Sequence, residues 1–479
     1  MNIISKGNIN STSDLYDIMS ENWALPTTLM GGERSMKAAG RKYLPQEPME
    51  TNAQYEIRLN RSTLKNFFGW TVENHTGRVF NKPIVLSEDT PTVIKDYNDN
   101  LDLMGNNINS FYRPVFRDML IKGISYVYVD YPRTIEDMSL AEEIMAGLRP
   151  YCIHYKAEQI LKAVSAVING RVVLARVHIM EDIEEDVDLW NTKSIQQIKV
   201  LYPGRWEAYR TDVKGNWQLV DTGVTSLPYI PLFPLYGKKI GFFAGESPLL
   251  DLANLNRAHW QSMSDQMNIT HVARVPILFG TGFNENDDIK IGASTAILGP
   301  DGCKLEYVEH TGQAIKAGMD ELTGLEERMF LESLEVTESS KTATGQALSV
   351  SDVNCSLQDL SLRLQDMITM VNNCMCDWEG LDRAGNALVN TDFGLHMRDG
   401  SEANVLLKMR QNKSISIETF HREMKRRGLL SPDFDSKVDI SLLDKEAALK
   451  PQPYVDESGK QIMGDENAED LDTGKPRIE

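Results

Sequence analysis

Cysteine and basic residues are both scarce in this 479-residue chain. The five cysteines, at positions 152, 303, 355, 374 and 376, are not spaced like a zinc site or a disulfide framework, which indicates a reducing compartment. Lysine and arginine number 50 against 69 aspartates and glutamates, giving a formal net charge of -19. Because sequence-independent duplex binding depends on cations that neutralise phosphates, this balance argues against a protein that grips DNA tightly.

Long apolar runs are also absent. The N-terminus has neither the basic start nor the apolar run of a signal peptide. No run approaches the roughly 18 apolar residues that a membrane-spanning helix requires. We therefore expect a soluble protein that is made in the cytoplasm and has no membrane partner.

Motifs of catalysis and cofactor binding are missing as well. The chain has no HExxH, no P-loop, no GxGxxG after a strand and no GxSxG elbow, and its eight histidines form no ligand pair at helical spacing. The acidic run EDIEEDVD at 181–188 lacks the glycine hinge and terminal glutamate of a calcium loop, so we interpret it as a solvated loop. We expect no cofactor, no metal and no catalytic residue; a metal-dependent nucleic-acid enzyme using this run is the less favoured alternative.

The first half of the chain predicts a mixed α/β region behind a polar start. Residues 1–50 carry Gly31-Gly32, Pro45 and Pro48, which predict an extended arm rather than a packed unit. Apolar spacing predicts one helix over about 53–80 and another over about 105–122. The stretch ISYVYVD that follows alternates like a strand, and 150–240 is rich in further candidate strands separated by turn signals.

Two long helices are predicted over 248–272 and about 312–335, with short strands between them at 276–309. The first has Leu252, Leu255, His259, Met263 and Met267 on one face, a stripe too narrow for a helix packed into a domain core. We therefore expect it to pack against copies of itself. The second has acidic outer faces, whose ordinary interpretation is solvation.

A polar break, ESSKTATGQALSV at 338–350, separates the second long helix from a third. Apolar residues from Val353 to Trp378 recur at helical spacing for about seven turns. Small hydroxyl side chains and Gly345 favour a loop between the two helices, and an αα-hairpin turn is its ordinary interpretation. From 399 onward we expect short helices, and the last 29 residues, with eight acids and three bases, are expected to be disordered at least in part.

Several segments resemble portal proteins of tailed bacteriophages, in particular a portal-like family described as a domain of unknown function. They are YLP (43–45), YEIRLNRSTLKNFFGWTVENHTGRVFNKPI (55–84), MGNNINSFYRPVFRDMLIKGISYVYVDYPR (104–133), RPYCIHYKAEQI (149–160) and GESPLLDLANLNRAHWQSMSDQ (245–266). The resemblance covers roughly residues 40–390 and keeps its order along the chain.

The resemblance implies an α+β portal fold and a ring, usually a dodecamer, at one capsid vertex through which double-stranded DNA enters and leaves. The parts that it implies are a mixed α/β wing (51–247), a first stem helix (248–272), a clip (273–310), a second stem helix (311–335), a tunnel loop (336–346), a long wing helix with a return strand (347–398) and a mainly helical crown (399–450). The N-terminal arm (1–50) and the acidic tail (451–479) are expected from composition alone.

The resemblance also implies roles for particular residues. The tunnel loop would place Ser339, Ser340, Lys341, Thr342 and Thr344 in the DNA channel. Negative charge on the stem lumen would come from Asp320, Glu321, Glu326 and Glu327. Stem packing would use Leu252, Leu255, Met263 and Met267. The clip would dock partners through Asn284, Glu285, Asn286, Asp287 and Asp288.

The implied protein is not an enzyme. Its partners would be further copies of itself, DNA, terminase, the major capsid and scaffold proteins, and neck or adaptor proteins. It would be assembled in the host cytoplasm and reside in the virion. The alternative within the same class is a neck or tail adaptor.

Overall fold

The computed structural model describes residues 8–132, 142, 145–186, 188, 190–212, 215–274, 277–282, 302–308, 312–333, 343–391, 393, 400–426, 429–430 and 434–449. The chain divides into two compact units, Met1–Gly394 and Leu395–Glu479. The architecture is mixed α and β, with small antiparallel sheets.

Thirteen α-helices lie within these residues. They are α1 Asp14–Glu21, α2 Ala24–Met30, α3 Gly32–Ala39, α4 Asn52–Arg61, α5 Phe67–Val79, α6 Thr92–Asn98, α7 Ile108–Lys122, α8 Leu250–Ala273, α9 Gln313–Glu332, α10 Ala343–Glu379, α11 Gly400–Gln411, α12 Ile417–Arg426 and α13 Ser436–Leu449.

The strands of the same described residues form three two-stranded sheets, one three-stranded sheet in the order β3-β2-β9 and one five-stranded meander in the order β4-β5-β6-β7-β8. They are β1 Val85–Leu86, β2 Ile124–Asp130, β3 Tyr151–Lys156, β4 Ile160–Ile168, β5 Arg171–Asp186, β6 Thr192–Tyr202, β7 Arg205–Thr211, β8 Trp217–Val224, β9 Leu232–Tyr236, β10 Lys238–Gly241, β11 Ala244–Glu246, β12 Ile277–Thr281, β13 Lys304–Val308 and β14 Ala387–Leu388.

Helix α7 and strand β2 form the centre of the first unit, and the sequence predicted both elements. Asn107 caps the helix by accepting a 3.0 Å bond from the Ser110 amide. Gly123 ends it at φ 85°, and a Cβ there would lie 2.2 Å from the backbone of Glu246, so only glycine fits. The chain therefore turns directly from α7 into β2.

Both faces of β2 are buried. Val127 and Val129 belong to the large core that contains α5, α7 and α10. The alternate residues Tyr126 and Tyr128 pack instead in a second core with strands of the five-stranded sheet. Because side chains alternate across a strand, one central strand joins the helical layer to the second sheet.

The prediction of an extended arm over 1–50 is wrong for residues 14–39, which form α1, α2 and α3. Trp23, Leu29 and Met36 are buried in the two cores, and the Trp23 indole donates a 3.0 Å bond to the Lys122 carbonyl. Gly31-Gly32 lies at the junction of α2 and α3, with Gly32 at φ 69°. The segment is polar on average, and its overall composition therefore did not indicate the apolar residues that pack into the cores.

The predicted single helix over 53–80 is interrupted. Helix α4 ends at Arg61 and α5 begins at Phe67, and residues 62–66 are non-helical. Asn66 caps α5 by accepting a 2.9 Å bond from the Gly69 amide, and its Nδ2 donates to the Leu29 carbonyl at 2.7 Å. The side chain of Asn66 thus stabilises the interruption from both sides.

The acidic run at 181–188 was expected to be a solvated loop, but residues 181–186 are part of β5. They pair with β6 in a regular antiparallel register from Glu181↔Gln197 to Asp186↔Thr192. Isoleucine at 183 and 195 supplies the β-branched residues that favour this strand pair.

The second unit contains α11, α12 and α13, in line with the short helices expected after 399. Leu406 is buried, and the His421 ring lies 5.0 Å from the Phe434 ring in edge-to-face geometry. His421 Nδ1 and Ser436 Oγ are 2.8 Å apart, which ties α12 to the start of α13.

A buried histidine makes the first unit sensitive to acid. His75 on α5 is 1% exposed, and burial, followed by the positive charge of Arg78, lowers its pKa to about 4. The backbone of Ser333 lies near the ring and offsets part of this lowering of the pKa. Among the described residues, neither ring nitrogen has a partner with hydrogen-bond geometry. The ring is therefore held in its neutral form.

We predict that His75→Leu flattens the dependence of stability on pH. As the pH is lowered, the unfolded chain takes up a proton at the ordinary histidine pKa of about 6.5, whereas the folded protein does so only near pH 4. The free energy of unfolding is therefore fully present above about pH 6.5 and decreases as the pH falls toward about 4. For this shift the loss is about 3 kcal/mol. Urea unfolding between pH 7 and pH 4 measures it. The exposed His271→Leu is the control, and an unchanged slope in His75→Leu would refute the assignment.

Candidate functional site: the seat of the two long helices

Helices α8 and α9 pack against each other in antiparallel fashion. Gln266 Nε2 donates a 2.8 Å bond to the Ile315 carbonyl, and Ser262 Oγ lies 3.4 Å from Glu321 Oε2. Further along, His259 Nε2 contacts Glu326 Oε1. Residue numbers therefore decrease along α8 in the direction in which they increase along α9. Their bounds lie within a few residues of the predicted 248–272 and 312–335. The predicted pair of long helices is confirmed.

A close approach joins the two helices at Gly318. A Cβ at this position would lie 2.1 Å from Gln266 Oε1. Gln266 is only 7% exposed, and its amide is held by the bond to Ile315. Glycine therefore leaves the space in which the glutamine crosses between the helices.

Helix α8 lies on residues 62–68, which comprise the non-helical residues 62–66 and the first two residues of α5. We call this segment the seat. Asn256 is fully buried; its Oδ1 accepts a 3.0 Å bond from the Phe68 amide, and its Nδ2 donates at 2.9 Å to the Lys65 carbonyl. Two turns further along, Ser264 Oγ lies 2.7 Å from Ser62 Oγ. The Asn256 side chain thus bonds to the first turn of α5 and to the backbone just before it, where the Lys65 carbonyl also accepts a 3.1 Å bond from the Phe67 amide.

This seat corrects the reading of α8 as a helix whose apolar stripe is too narrow for a core. Its buried residues are Leu252, Ala253, Asn256, His259, Trp260, Ser264 and Gln266. The sequence analysis had assigned Leu255, Met263 and Met267 to the packing stripe, and these are only half-buried. Asn256 and Ser264 are buried because each has a fixed hydrogen-bond partner, a signal that hydropathy does not carry.

Three charged or titratable groups meet where α8, α9 and the seat come together. Lys65 Nζ lies 2.7 Å from Glu326 Oε2, and His259 Nε2 lies 3.3 Å from Glu326 Oε1. Burial lowers the pKa of His259, with Glu326 opposing the change. Burial raises the pKa of Glu326, but Lys65 and His259 outweigh it, so that pKa lies below its ordinary value. A neutral histidine and an ionised carboxylate result.

Aromatic packing surrounds this cluster. The Phe67 ring contacts the Phe330 ring edge-to-face at 5.0 Å and the His259 ring at 6.4 Å. Lys65 Nζ lies 5.2 Å from the centre of the Phe67 ring. The cluster thus joins the start of α5 to both long helices.

The four predicted lumen acids differ in their surroundings. Asp320, Glu321 and Glu327 are exposed, whereas Glu326 is half-buried and engaged with Lys65 and His259. The geometry thus assigns Glu326 to the seat rather than to a free charged surface. The lumen role of the other three stays a prediction.

Two predicted sites fall mostly outside the described residues. Asn284, Glu285, Asn286, Asp287 and Asp288 lie outside them, as do Ser339, Ser340, Lys341 and Thr342. Thr344 lies in the first turn of α10, which begins at Ala343 and therefore takes in the last residues of the predicted loop 336–346. The 451–479 tail is likewise outside the described part.

A polar groove of about 580 Å³ lies between α4 and α8, lined in part by Ile57, Arg61, His271 and Val272. On its wall, Arg58 forms two 2.8 Å bonds to the Glu50 carboxylate and a 2.7 Å bond to the Pro45 carbonyl. The guanidinium is 5% exposed, so its donors are used within the chain. This pair was not predicted from the sequence.

No group of three or more histidine, cysteine, aspartate or glutamate side chains in the described ranges is arranged to hold a metal ion. Across the same ranges, no helix has the length and apolar content required to span a membrane.

Comparison with known proteins gives a partial match. Residues 248–379, from the start of the long helices to the end of α10, match the family model described as Domain of unknown function (DUF4055). No curated protein matches the chain.

The chain is similar to proteins in solved gene transfer agent (GTA) particles. The structure of the virion of the native GTA particle has 9% identity and a TM-score of 0.42, covering 76% of this chain and 89% of that one. The neck of the empty particle computed with C6 symmetry has 10% identity and a TM-score of 0.44, with the same coverage. The neck of the native particle computed with C12 symmetry has 9% identity and a TM-score of 0.42, covering 82% and 94%.

We predict that Asn256→Ala lowers the unfolding midpoint because the Phe68 amide loses its buried partner, while the Lys65 carbonyl keeps only its bond from the Phe67 amide. The expected cost is about 1–3 kcal/mol. Asn254→Ala is the matched control, since Asn254 is exposed two residues away on the same helix and should change stability by less than about 0.5 kcal/mol. Urea unfolding followed by circular dichroism distinguishes them, and equal midpoints would contradict the seat.

A pair of glycine substitutions on α9 tests the helix contact. Gly318→Ala and Gly324→Ala gain the same helix propensity of about 1 kcal/mol, but a Cβ at Gly324 meets nothing within 4 Å. Gly318→Ala must displace Gln266 and break its bond to Ile315, so we expect it to be less stable than Gly324→Ala by about 1–2 kcal/mol. Thermal unfolding of the two variants gives the difference. Equal stability would show that Gln266 does not hold the helices together.

Proposed function

We propose that this protein is a structural component of the head-tail junction of a phage-like particle, and specifically the portal subunit. The observation that carries the proposal is the antiparallel pair α8 and α9. The strand pair β12–β13 lies between these helices in sequence, and hydrogen bonds to the seat fix α8 to the rest of the first unit. A 37-residue helix, α10, follows. This is the order of stem, clip, stem and long wing helix that the sequence resemblance implies.

Exposed apolar side chains on the helix pair support self-assembly. Val272 at the end of α8 is 59% exposed, and Met319 and Leu331 on α9 are 53% and 71% exposed. Phe279 on β12 is 50% exposed. Association of copies would remove these apolar side chains from water, which is favourable. In the proposed ring these residues contact the next copy, and the ring, a dodecamer by the family resemblance, encloses a channel.

The charge of α9 suits a channel for DNA. Residues 313–332 carry five acids and two bases, and one of the acids, Glu326, is used in the seat. In the proposed channel the exposed Asp320, Glu321 and Glu327 face a passing duplex. A negative surface repels phosphates, so DNA slides without adhering.

Two further parts of the proposal rest on the sequence. The loop 336–346, with Lys341 as its single cation, would line the narrowest part of the channel and make transient phosphate contacts. The polar turn from Asn284 to Asp288 would dock terminase during packaging and neck proteins afterwards. Capsid and scaffold proteins would surround the wing. The role is structural, and ATP hydrolysis for packaging would belong to the separate terminase.

The ring is tested by placing charge on the exposed face of α9. We expect Met319→Asp and Leu331→Asp to leave the subunit folded, because both side chains are exposed, and to prevent assembly by burying an unpaired carboxylate at every interface. Sedimentation velocity and circular dichroism measure size and folding. Met104→Asp, at an 85% exposed position in the body, is the control that should still assemble. Normal rings from both α9 variants would count against this interface.

A further inference from the structure

The hairpin of β5 and β6 extends beyond the sheet to which it belongs. Strand β4 pairs with β5 only from Arg171 to Ile179, and β7 pairs with β6 only from Gln197 to Tyr202. Among the described residues, 182–186 and 192–196 therefore pair only with each other. An unsupported two-stranded ribbon is of marginal stability by itself.

Three described residues at the end of this ribbon, Asp188, Trp190 and Asn191, are joined by hydrogen bonds. Asp188 Oδ1 accepts bonds from the amides of Trp190 at 2.8 Å and Asn191 at 2.9 Å. The Asn191 side chain returns a 2.9 Å bond to Asp188 Oδ2. One carboxylate thus fixes the backbone on both sides of Trp190.

Trp190 itself points into solvent and is 91% exposed. The next most exposed tryptophan among the described residues, Trp70, is 49% exposed. An exposed tryptophan lowers the solubility of a protein. Because hydrogen bonds hold the backbone on either side of Trp190, binding through this residue costs less conformational entropy than binding through a flexible loop. Tryptophan is among the residues that most often dominate binding energy when they enter a pocket on a partner.

The ribbon behind the tryptophan is acidic. Residues 181–196 include six acids and one base, Lys193. Asp182 and Glu184 are exposed, and Glu185 pairs with Arg210 on β7. Such a surface repels anionic lipid headgroups, nucleic-acid phosphates and the acidic surface of a second copy, and it attracts a basic protein.

We propose that the β5–β6 hairpin is a docking element for a different protein, one whose basic surface surrounds an apolar pocket that receives Trp190. The tryptophan supplies most of the affinity, and the acids on the ribbon speed association and select the partner. This surface is separate from the helix pair, and its function does not require the ring.

The test is photo-crosslinking with benzoylphenylalanine placed at position 190 of the full-length protein in the cells that make it. Val224, 87% exposed on β8 of the same sheet, is the control position. We expect position 190 to give one predominant product with a different polypeptide, joined within a stretch that contains both lysine or arginine and apolar residues. Asp182→Lys with Glu184→Lys should abolish that product.

Binding by the purified pair then measures the contribution of the tryptophan. Trp190→Ala should raise the dissociation constant at least about tenfold, Trp190→Phe should restore part of the affinity, and added salt should slow association. Products only with copies of this chain, equal yields at positions 190 and 224, or no product at 190 would each overturn the proposal. Ring formation is measured separately by sedimentation, so a failure there leaves this result intact.

Discussion

The structure of the first unit depends on satisfying the backbone of one short non-helical segment. Between α4 and α5 the chain leaves helical geometry, and the Phe68 amide, in the first turn of α5, has no partner within that helix. The Asn256 side chain bonds to both the Phe68 amide and the Lys65 carbonyl, and in doing so fixes α8 to the body. Because an unpaired buried group costs about 1–3 kcal/mol, the bond to the Phe68 amide favours this placement of α8.

The position of α9 follows from that of α8. Gly318 allows Gln266 to cross between the two helices, and Glu326 accepts contacts from His259 and Lys65, one on α8 and one on the seat. These contacts are polar and directional, whereas the residues left exposed on α9 include Met319 and Leu331. Specific bonds thus hold the pair to its own subunit, and in the proposed ring the exposed apolar side chains contact the next copy.

Sequence periodicity predicted the elements whose apolar residues face one core. Helix α7, strand β2 and the three long helices were found in this way, with ends within a few residues for α8 and α9. The break at 62–66 was missed because two of its partners lie far along the chain: Lys65 bonds to Asn256, about 190 positions later, and Ser62 to Ser264, about 200 positions later. The role of Glu326 was missed for the same reason, since an acidic face looks equally solvated whether or not a lysine approaches it. The N-terminal helices were missed because an average over polar residues hid Trp23, Leu29 and Met36.

The central claim is that a seated pair of long helices forms the wall of a ring, and electron cryo-microscopy of the purified full-length protein at side-chain resolution tests it most directly. The account predicts a closed ring with a central hole, with α8 and α9 at the subunit interfaces and the Asn256 side chain bonded to the backbone of residues 65 and 68 in every subunit. Single subunits or open aggregates at concentrations where portals assemble, or helices detached from the 62–68 segment, would contradict it.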